Sequence, residues 1–210
     1  MELIVAGGGD GTISAAARIA WQADKALGVL PAGTMNLFAR ALGIPLDLET
    51  AATALANAPI SKSDLATANG EVFVHQFSVG MQPRVVRDRE AAEYYSRVGK
   101  MLASLRAIAA MFRRPPSFPA RIVADDHDEE GRYSLVVVAN NLYGGRHMPY
   151  PDALKGGVLG IGRAPVLPPS ANLRMIADLA AGEWRRNDDF EMHPARSVSL
   201  HFPRLKHDAH

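Results

Sequence analysis

Apolar residues along this chain come in short blocks set off by glycine, proline and asparagine, and the period of each block separates strands from helices. Leu3 to Ala6 is a continuous apolar run that drives into three glycines. That is the pattern of a parallel-sheet strand buried on both faces. Thr12 to Gln22 (TISAAARIAWQ) is rich in alanine and reads as a helix, with Thr12 placed to cap it. Ala26 to Leu30 is a second apolar run that supplies a neighbouring strand. Strand, glycine turn, helix and strand make a right-handed βαβ unit. Two parallel strands form a thin sheet. Further strands ahead of Met1 in a longer protein, or a partner such as a second copy of the chain, are therefore expected at its edge.

The texture changes near residue 60. Asp47 to Ala58 is an alanine-rich helix, and beyond it Ile60 to Ala68 and Glu71 to Gly80 flank Asn69-Gly70. Asn-Gly between alternating runs is the strongest short hairpin signal. Pro83 to Arg114 reads as a long helical stretch. Val123, Leu135 to Ala139, Val158 to Ile161, Phe190 to Met192 and Ser197 to Phe202 lie in or near strand-like runs, and Asn172 to Ala181 interrupts them as a helix. The expected fold is an α/β N-terminal part over residues 1–59, with an incomplete parallel sheet, followed over 60–210 by a β-rich second domain with helices.

Composition narrows the function classes. The 210 residues are 48% hydrophobic and 21% charged, with a formal net charge of +1. This describes a globular chain with a sizeable core and gives no electrostatic case for nucleic acid as the main partner. Without cysteine there is no disulfide frame and no thiolate zinc site. No run approaches the roughly 20 apolar residues of a membrane span, and Met1-Glu2 does not begin a signal peptide. The expected location is the cytoplasm.

The glycine turns carry the chemistry. Glycines between a strand end and a helix start let the backbone approach a phosphate, with N–H groups and the positive helix end directed at it. In GGGDGT, Gly7 to Thr12, the informative residue is Asp10. A carboxylate beside phosphates is repulsive unless a divalent cation or a substrate hydroxyl sits between them. The plainer reading is a tight turn in which Asp10 bonds its own backbone. A second loop, PAGTMNLFARALGIP from Pro31 to Pro45, shifts the balance. Gly33 permits a sharp turn, Thr34 or Asn36 can cap a helix running to about Leu42, and Gly43 and Pro45 stop it. This loop leaves the carboxyl end of the neighbouring strand, beside the first loop, where open parallel sheets bind ligands.

GGDGT at Gly8 to Thr12 and LPAGTMNLFARALGIP from Leu30 to Pro45 together resemble the diacylglycerol kinase catalytic-domain family of lipid kinases. VVVANNLYGGRHMPYPDA, Val136 to Ala153, extends the likeness through the family's strand, asparagine, Gly-Gly and Pro-Asp-Ala segment. The resemblance implies a two-domain lipid kinase with a nucleotide-binding N-terminal part. Its reaction moves the γ-phosphoryl of ATP, with magnesium, to the hydroxyl of a diacylglycerol-like lipid presented at a membrane surface. On the matching positions, Gly8, Gly9, Gly11 and Thr12 would cradle phosphates with Ile13 and Ser14 beside them. Gly33, Thr34 and Asn36 would close the pocket from the second loop. Asp10 would be the catalytic residue, holding magnesium or orienting the acceptor hydroxyl.

Three departures qualify that picture. Gly156 stands where relatives carry an aspartate that helps hold a structural magnesium, so little stabilisation by that ion is expected. Relatives begin with earlier strands, and place near their C-terminal end an acidic residue thought to act as general base. This chain starts at Met1 and stops at His210, and is expected to be a weak kinase at best. The rival readings are a catalytically dead nucleotide- or lipid-binding fragment and a NAD kinase-like enzyme. The stripe Val98, Met101, Leu105 and Phe112, with Lys100 and Arg106, suits a membrane surface, although a core-facing stripe is the favoured reading. His193, His201, His207 and His210 match no ligand spacing. Asp125 to Glu130 reads as an exposed turn.

Overall fold

The computed structural model describes residues 2–80, 117–145, 150–181, 183 and 187–203. The helical stretch expected over 83–114 lies outside them. The chain divides into two compact units, Met1–Phe77 with Val138–Gly160 and Ser78–Val137 with Ile161–His210. The first unit thus runs past residue 60 and takes back a later segment.

The start follows the hydropathy pattern. β1 (Leu3–Gly8), α1 (Asp10–Gln22) and β2 (Ala26–Pro31) form the βαβ unit, with β1 and β2 parallel and Leu3 through Gly8 aligned with Ala26 through Pro31. Leu3 and Val5 remain half-exposed on β1. α2 (Leu37–Ala41) and α3 (Leu48–Asn57) follow. α3 begins where the Asp47 carboxylate accepts from the Thr50 amide at 2.9 Å, an N-cap of the usual kind. β3 (Ala66–Ala68) and β4 (Glu71–Phe73) are antiparallel. Asn69 and Gly70 both have positive φ, 52° and 86°, which a type I′ hairpin turn demands.

The strand expected from Glu71 to Gly80 is broken. β4 ends at Phe73 and β5 (Gln76–Gly80) starts anew, because the backbone at Val74 and His75 turns its carbonyls to another partner. Asn140 takes both, its Nδ2 donating to Val74 O at 3.2 Å and its amide donating to His75 O at 2.8 Å. Ile13, Ala17, Val29, Phe38, Ala39, Val72, Val74 and Leu154 make the core of this unit. It draws on α1, β2, α2, the segment from Val72 to Val74 and the returning segment.

The remaining strands are β6 (Phe118–Ala124), β7 (His127–Asn140), β8 (Leu159–Pro165), β9 (Glu191–Ala195) and β10 (Val198–His201), with α4 (Pro169–Ala181) between β8 and β9. They form a sheet ordered β10-β6-β7-β8-β9, in which β5 also pairs with β7. β7 alternates in exposure over its first half and is buried on both faces from Tyr133 to Asn140. Ala120, Ile122, Tyr133, Val136, Ile161 and Ala195 form the second unit's core. The acidic run is a turn only at Asp125 and Asp126. Asp128, Glu129 and Glu130 are strand residues of β7 paired with β6, and Asp125 accepts from the Arg196 and Ser197 amides at 2.9 and 3.0 Å. A two-residue turn needs few residues, so the surplus charge falls on an exposed strand face.

Val74 is fully buried and joins the hairpin to α1. Val74→Ala removes two methyl groups from this core and should cost about 2 kcal/mol, seen as a lower urea midpoint with an unchanged slope. An unchanged midpoint would remove Val74 from the core.

Candidate functional site

The first glycine loop leaves α1 with an open N-terminus. Gly9 is the N-cap residue in extended conformation, and no side chain caps the helix. Thr12, expected as the cap, instead lies inside the first turn. The reason is Gly8, where an added Cβ would sit 2.6–2.8 Å from the Thr12 side chain. The missing Cβ lets the helix begin two residues early. By helix geometry the amides of Asp10, Gly11 and Thr12 have no acceptor within α1, and such an end attracts anions. A Cβ on Gly11 would meet nothing within 4 Å, so the approach over it is open. Ile13 is spent on support: its amide donates to Gly9 O at 3.0 Å and its side chain is in the core. Ser14 Oγ accepts from the Val74 amide at 3.3 Å, tying α1 to the bend before β5.

The second loop touches the first. A Cβ on Gly33 would lie 2.3 Å from Gly9 Cα and 2.7 Å from Gly9 N. Close approach, not an unusual φ, is what requires glycine there. Thr34 is exposed. Asn36 is buried and left-handed, with φ 51°, and it does not cap α2. Its side chain turns back into the loop, where Oδ1 accepts from the Gly33 amide at 2.9 Å. Its Nδ2 donates to the Pro31 and Gly33 carbonyls at 3.2 and 2.9 Å.

The start of α2 is held by Asp10. The Leu37 amide donates to Asp10 Oδ2 at 3.1 Å and the Phe38 amide to Oδ1 at 2.8 Å. Asp10 therefore bonds neither its own turn nor solvent alone; it reaches across 27 and 28 residues to join the two loops. A carboxylate meeting two helix N–H groups is a favourable, charge-assisted arrangement. Each oxygen keeps a lone pair for a further donor.

The same unit buries a residue that the sequence reading passed over. His75 is 7% exposed, and its Nε2 has no hydrogen-bond partner. Burial lowers its pKa to about 4, against an opposing pull from the Asp10 charge. Its ring stacks on Tyr143 at 6.3 Å between centroids, and the Tyr143 hydroxyl donates to the Gln76 side chain. Burial raises the tyrosine's pKa, so it stays neutral. Asn140 completes the support by donating from Nδ2 to Asp64 O at 2.8 Å. The available signals were a histidine inside the apolar run VFVHQF and an Asn-Asn pair closing the buried run VVVANN. Polar groups at such positions must find partners.

The residues fit a bound magnesium poorly. Among the described residues no group of three or more His, Asp or Glu side chains could hold a metal ion. At Gly156 the amide donates to Asn141 Oδ1 at 2.9 Å, and an added Cβ would lie 2.5 Å from that oxygen. Asparagine occupies the space a carboxylate at 156 would need. His193 and His201 are exposed; His207, His210 and the stripe from Val98 to Phe112 lie outside the described residues. No helix among the described residues is long and apolar enough to cross a membrane.

Residues 1–68 match the family described as diacylglycerol kinase catalytic domain. A protein named probable lipid kinase YegS-like, from Pseudomonas aeruginosa (strain UCBPP-PA14), is 32% identical over 166 residues, 77% of this chain and 54% of that protein. The diacylglycerol kinase of Bacillus subtilis (strain 168) is 36% identical over 116 residues, 50% of this chain and 38% of that one. The chain thus spans about half the length, or less, of these curated relatives. A solved diacylglycerol kinase structure from Bacillus anthracis str. Sterne shares the fold, with a TM-score of 0.68 at 24% identity over 95% of this chain and 66% of the other. Another from that organism reaches 0.71 at 25% identity.

Two outcomes follow from the buried groups. The folded pKa of His75, about 4, lies below its ordinary 6.5, so the unfolded chain takes up the proton first on acidification. The stability it protects is complete above pH 6.5 and drains away as the pH falls towards 4, by roughly 3 kcal/mol in all. His75→Gln should flatten that part of the stability–pH curve relative to the parent; parallel curves would contradict the burial of a neutral imidazole. Gly156→Asp should lower the melting temperature by crowding Asn141, and magnesium should not restore it. A magnesium-dependent rise in that variant would show a latent ion site.

Proposed function

We propose that this chain, which belongs to the diacylglycerol kinase catalytic-domain family, is a lipid kinase that transfers the γ-phosphoryl of ATP to the hydroxyl of a diacylglycerol-like lipid at a membrane surface. The observation that carries the reading is the contact of two glycine loops at Gly9 and Gly33 under the Asp10 clamp. It leaves an uncapped helix end open over Gly11. Relatives named lipid kinase and diacylglycerol kinase support the choice of reaction.

Phosphoryl transfer is catalysed chiefly by positioning and by neutralising charge. In this reading the amides of Gly11 and Thr12 meet the phosphates, and the absent side chains of Gly9 and Gly11 leave them room. Gly33 and Asn36 hold the second loop as a wall against Gly9. Asp10 fixes the distance between the loops, and its remaining lone pairs are available to a donor on the acceptor. With no cluster of side chains among the described residues to hold it, magnesium would have to come with the nucleotide's phosphates, where it would supply charge neutralisation.

The test is ATP binding by calorimetry, beside phosphorylated lipid formed from ATP, magnesium and mixed-micelle diacylglycerol. A Cβ at Gly9 meets only Gly33 Cα, at 3.5 Å, so Gly9→Val should keep the fold while its branched side chain covers the phosphate approach. ATP affinity should fall on the order of a hundredfold, about 2.8 kcal/mol, with turnover lost alongside. Equal ATP binding by parent and Gly9→Val would end the phosphate-loop assignment. A parent that binds ATP yet phosphorylates no lipid would end the kinase reading.

A further inference from the structure

Phosphates at the open start of α1 bring negative charge to a site that already carries the Asp10 carboxylate. Like charges at close range need a counter-charge held in place. Among the described residues no group of side chains could hold a metal ion, which leaves side-chain cations as this chain's own means of supplying one. In this unit Arg18 and Lys25 are spent in ion pairs with Glu71 and Glu2. Lys62 and Lys155 are exposed and belong to neither glycine loop nor to the helices that leave them. Arg40 stands on α2, the helix that leaves the second loop. Helix side chains lean towards the helix start, and Arg40 follows that rule, its Nε donating to the Met35 carbonyl at 2.9 Å. Met35 lies midway between Gly33, which meets Gly9, and Leu37, whose amide Asp10 accepts. The guanidinium is therefore fixed on the stretch of the second loop that is tied to the first at both ends. It is partly exposed, and among the described residues no carboxylate pairs with it. A guanidinium carries five N–H donors in a planar fork. Met35 takes the one on Nε, and the Nη edge is left for a ligand.

We propose that Arg40 binds the transferred phosphoryl group, its two Nη nitrogens donating to two oxygens of that group. The inference rests on the lipid kinase reading and deepens it. Before transfer the group belongs to the nucleotide as its γ-phosphate, and after transfer it belongs to the lipid as a phosphate monoester. Either way it presents outer oxygens bearing negative charge, which a guanidinium fork matches two at a time. The bond to Met35 holds the long side chain in one place before the ligand arrives, so less rotamer freedom is lost on binding. A lysine at this position would supply the charge as a point, without the fork.

Calorimetry on the parent, Arg40→Lys and Arg40→Gln, with magnesium throughout, compares ADP with a non-hydrolysable ATP analogue. Affinity for the analogue should fall about 10- to 100-fold in Arg40→Gln and partway in Arg40→Lys, while ADP, which lacks the group, stays within about twofold. Short-chain phosphatidic acid compared with short-chain diacylglycerol, both with ADP present, tests the lipid source in the same way. A loss for the ATP analogue assigns the contact to the nucleotide's phosphate, and a loss for phosphatidic acid assigns it to the lipid's. Equal losses for ADP and the analogue would mean that removing Arg40 merely loosens the loop, and would overturn the proposal. A folded Arg40→Gln that loses affinity for neither ligand would overturn it as well. The parent offers a readout free of substitution: its Arg40 Nη nitrogen resonances should shift with the ATP analogue or phosphatidic acid and ignore ADP and diacylglycerol. A parent that binds no nucleotide ends the phosphate-loop assignment, and the response of those resonances to phosphatidic acid then decides the role of Arg40 by itself.

Discussion

Everything in the candidate site depends on one carboxylate bridging two helix starts. Asp10 stands in the first turn of α1, and its two oxygens accept the first amides of α2. The parallel register brings Gly8 beside Pro31, so the loops that leave the two strands start as neighbours. Neighbouring loops still need a reason to touch. The absent side chain of Gly33 lets the backbones meet, Asn36 stiffens the second loop from within, and Asp10 closes the gap. α2 is only five residues long, too short to persist on its own propensity, so the clamp and the burial of Leu37, Phe38 and Ala39 hold it in place.

Elsewhere in this unit polar groups likewise find distant partners. Asn140 ends a strand segment buried on both faces, and it serves Val74, His75 and Asp64 at once. Asp64 in turn accepts the Gly157 amide at 2.8 Å and donates its own amide to Leu154 O at 2.7 Å. These bonds draw residues 138–160 onto the unit that carries the glycine loops. Among the described residues two buried side-chain atoms have no hydrogen-bond partner, His75 Nε2 and Asn172 Oδ1.

Elements encoded by neighbours in sequence were legible. The βαβ start and the helix over 172–181 depend on local period and appear with their ends close to expectation, and the Asn69-Gly70 turn sits where its chemistry puts it, although its arms shrink from 60–68 and 71–80 to Ala66–Ala68 and Glu71–Phe73. The meeting of the two loops was legible as well, because strand order fixes it. What could not be read was the choice of partner. Thr12 looked like a cap, yet the space freed at Gly8 drew it inside the helix. Asn36 looked like a cap too, but its amide found three backbone groups in its own loop. Asp10 took the cap from 27 residues away. The break between β4 and β5 and the burial of His75 likewise depend on Asn140, which is more than 60 residues off. Side-chain contacts at that separation leave no periodic trace in the chain.

Amide hydrogen exchange at Leu37 and Phe38 tests the clamp most directly, comparing the parent with Asp10→Ala. Both amides should exchange slowly in the parent. In the variant both should exchange at nearly the unprotected rate, while Val29 in β2 stays slow because its strand pairing does not use Asp10. Undiminished protection of Leu37 and Phe38 in Asp10→Ala would mean that something other than this carboxylate holds the two loops together.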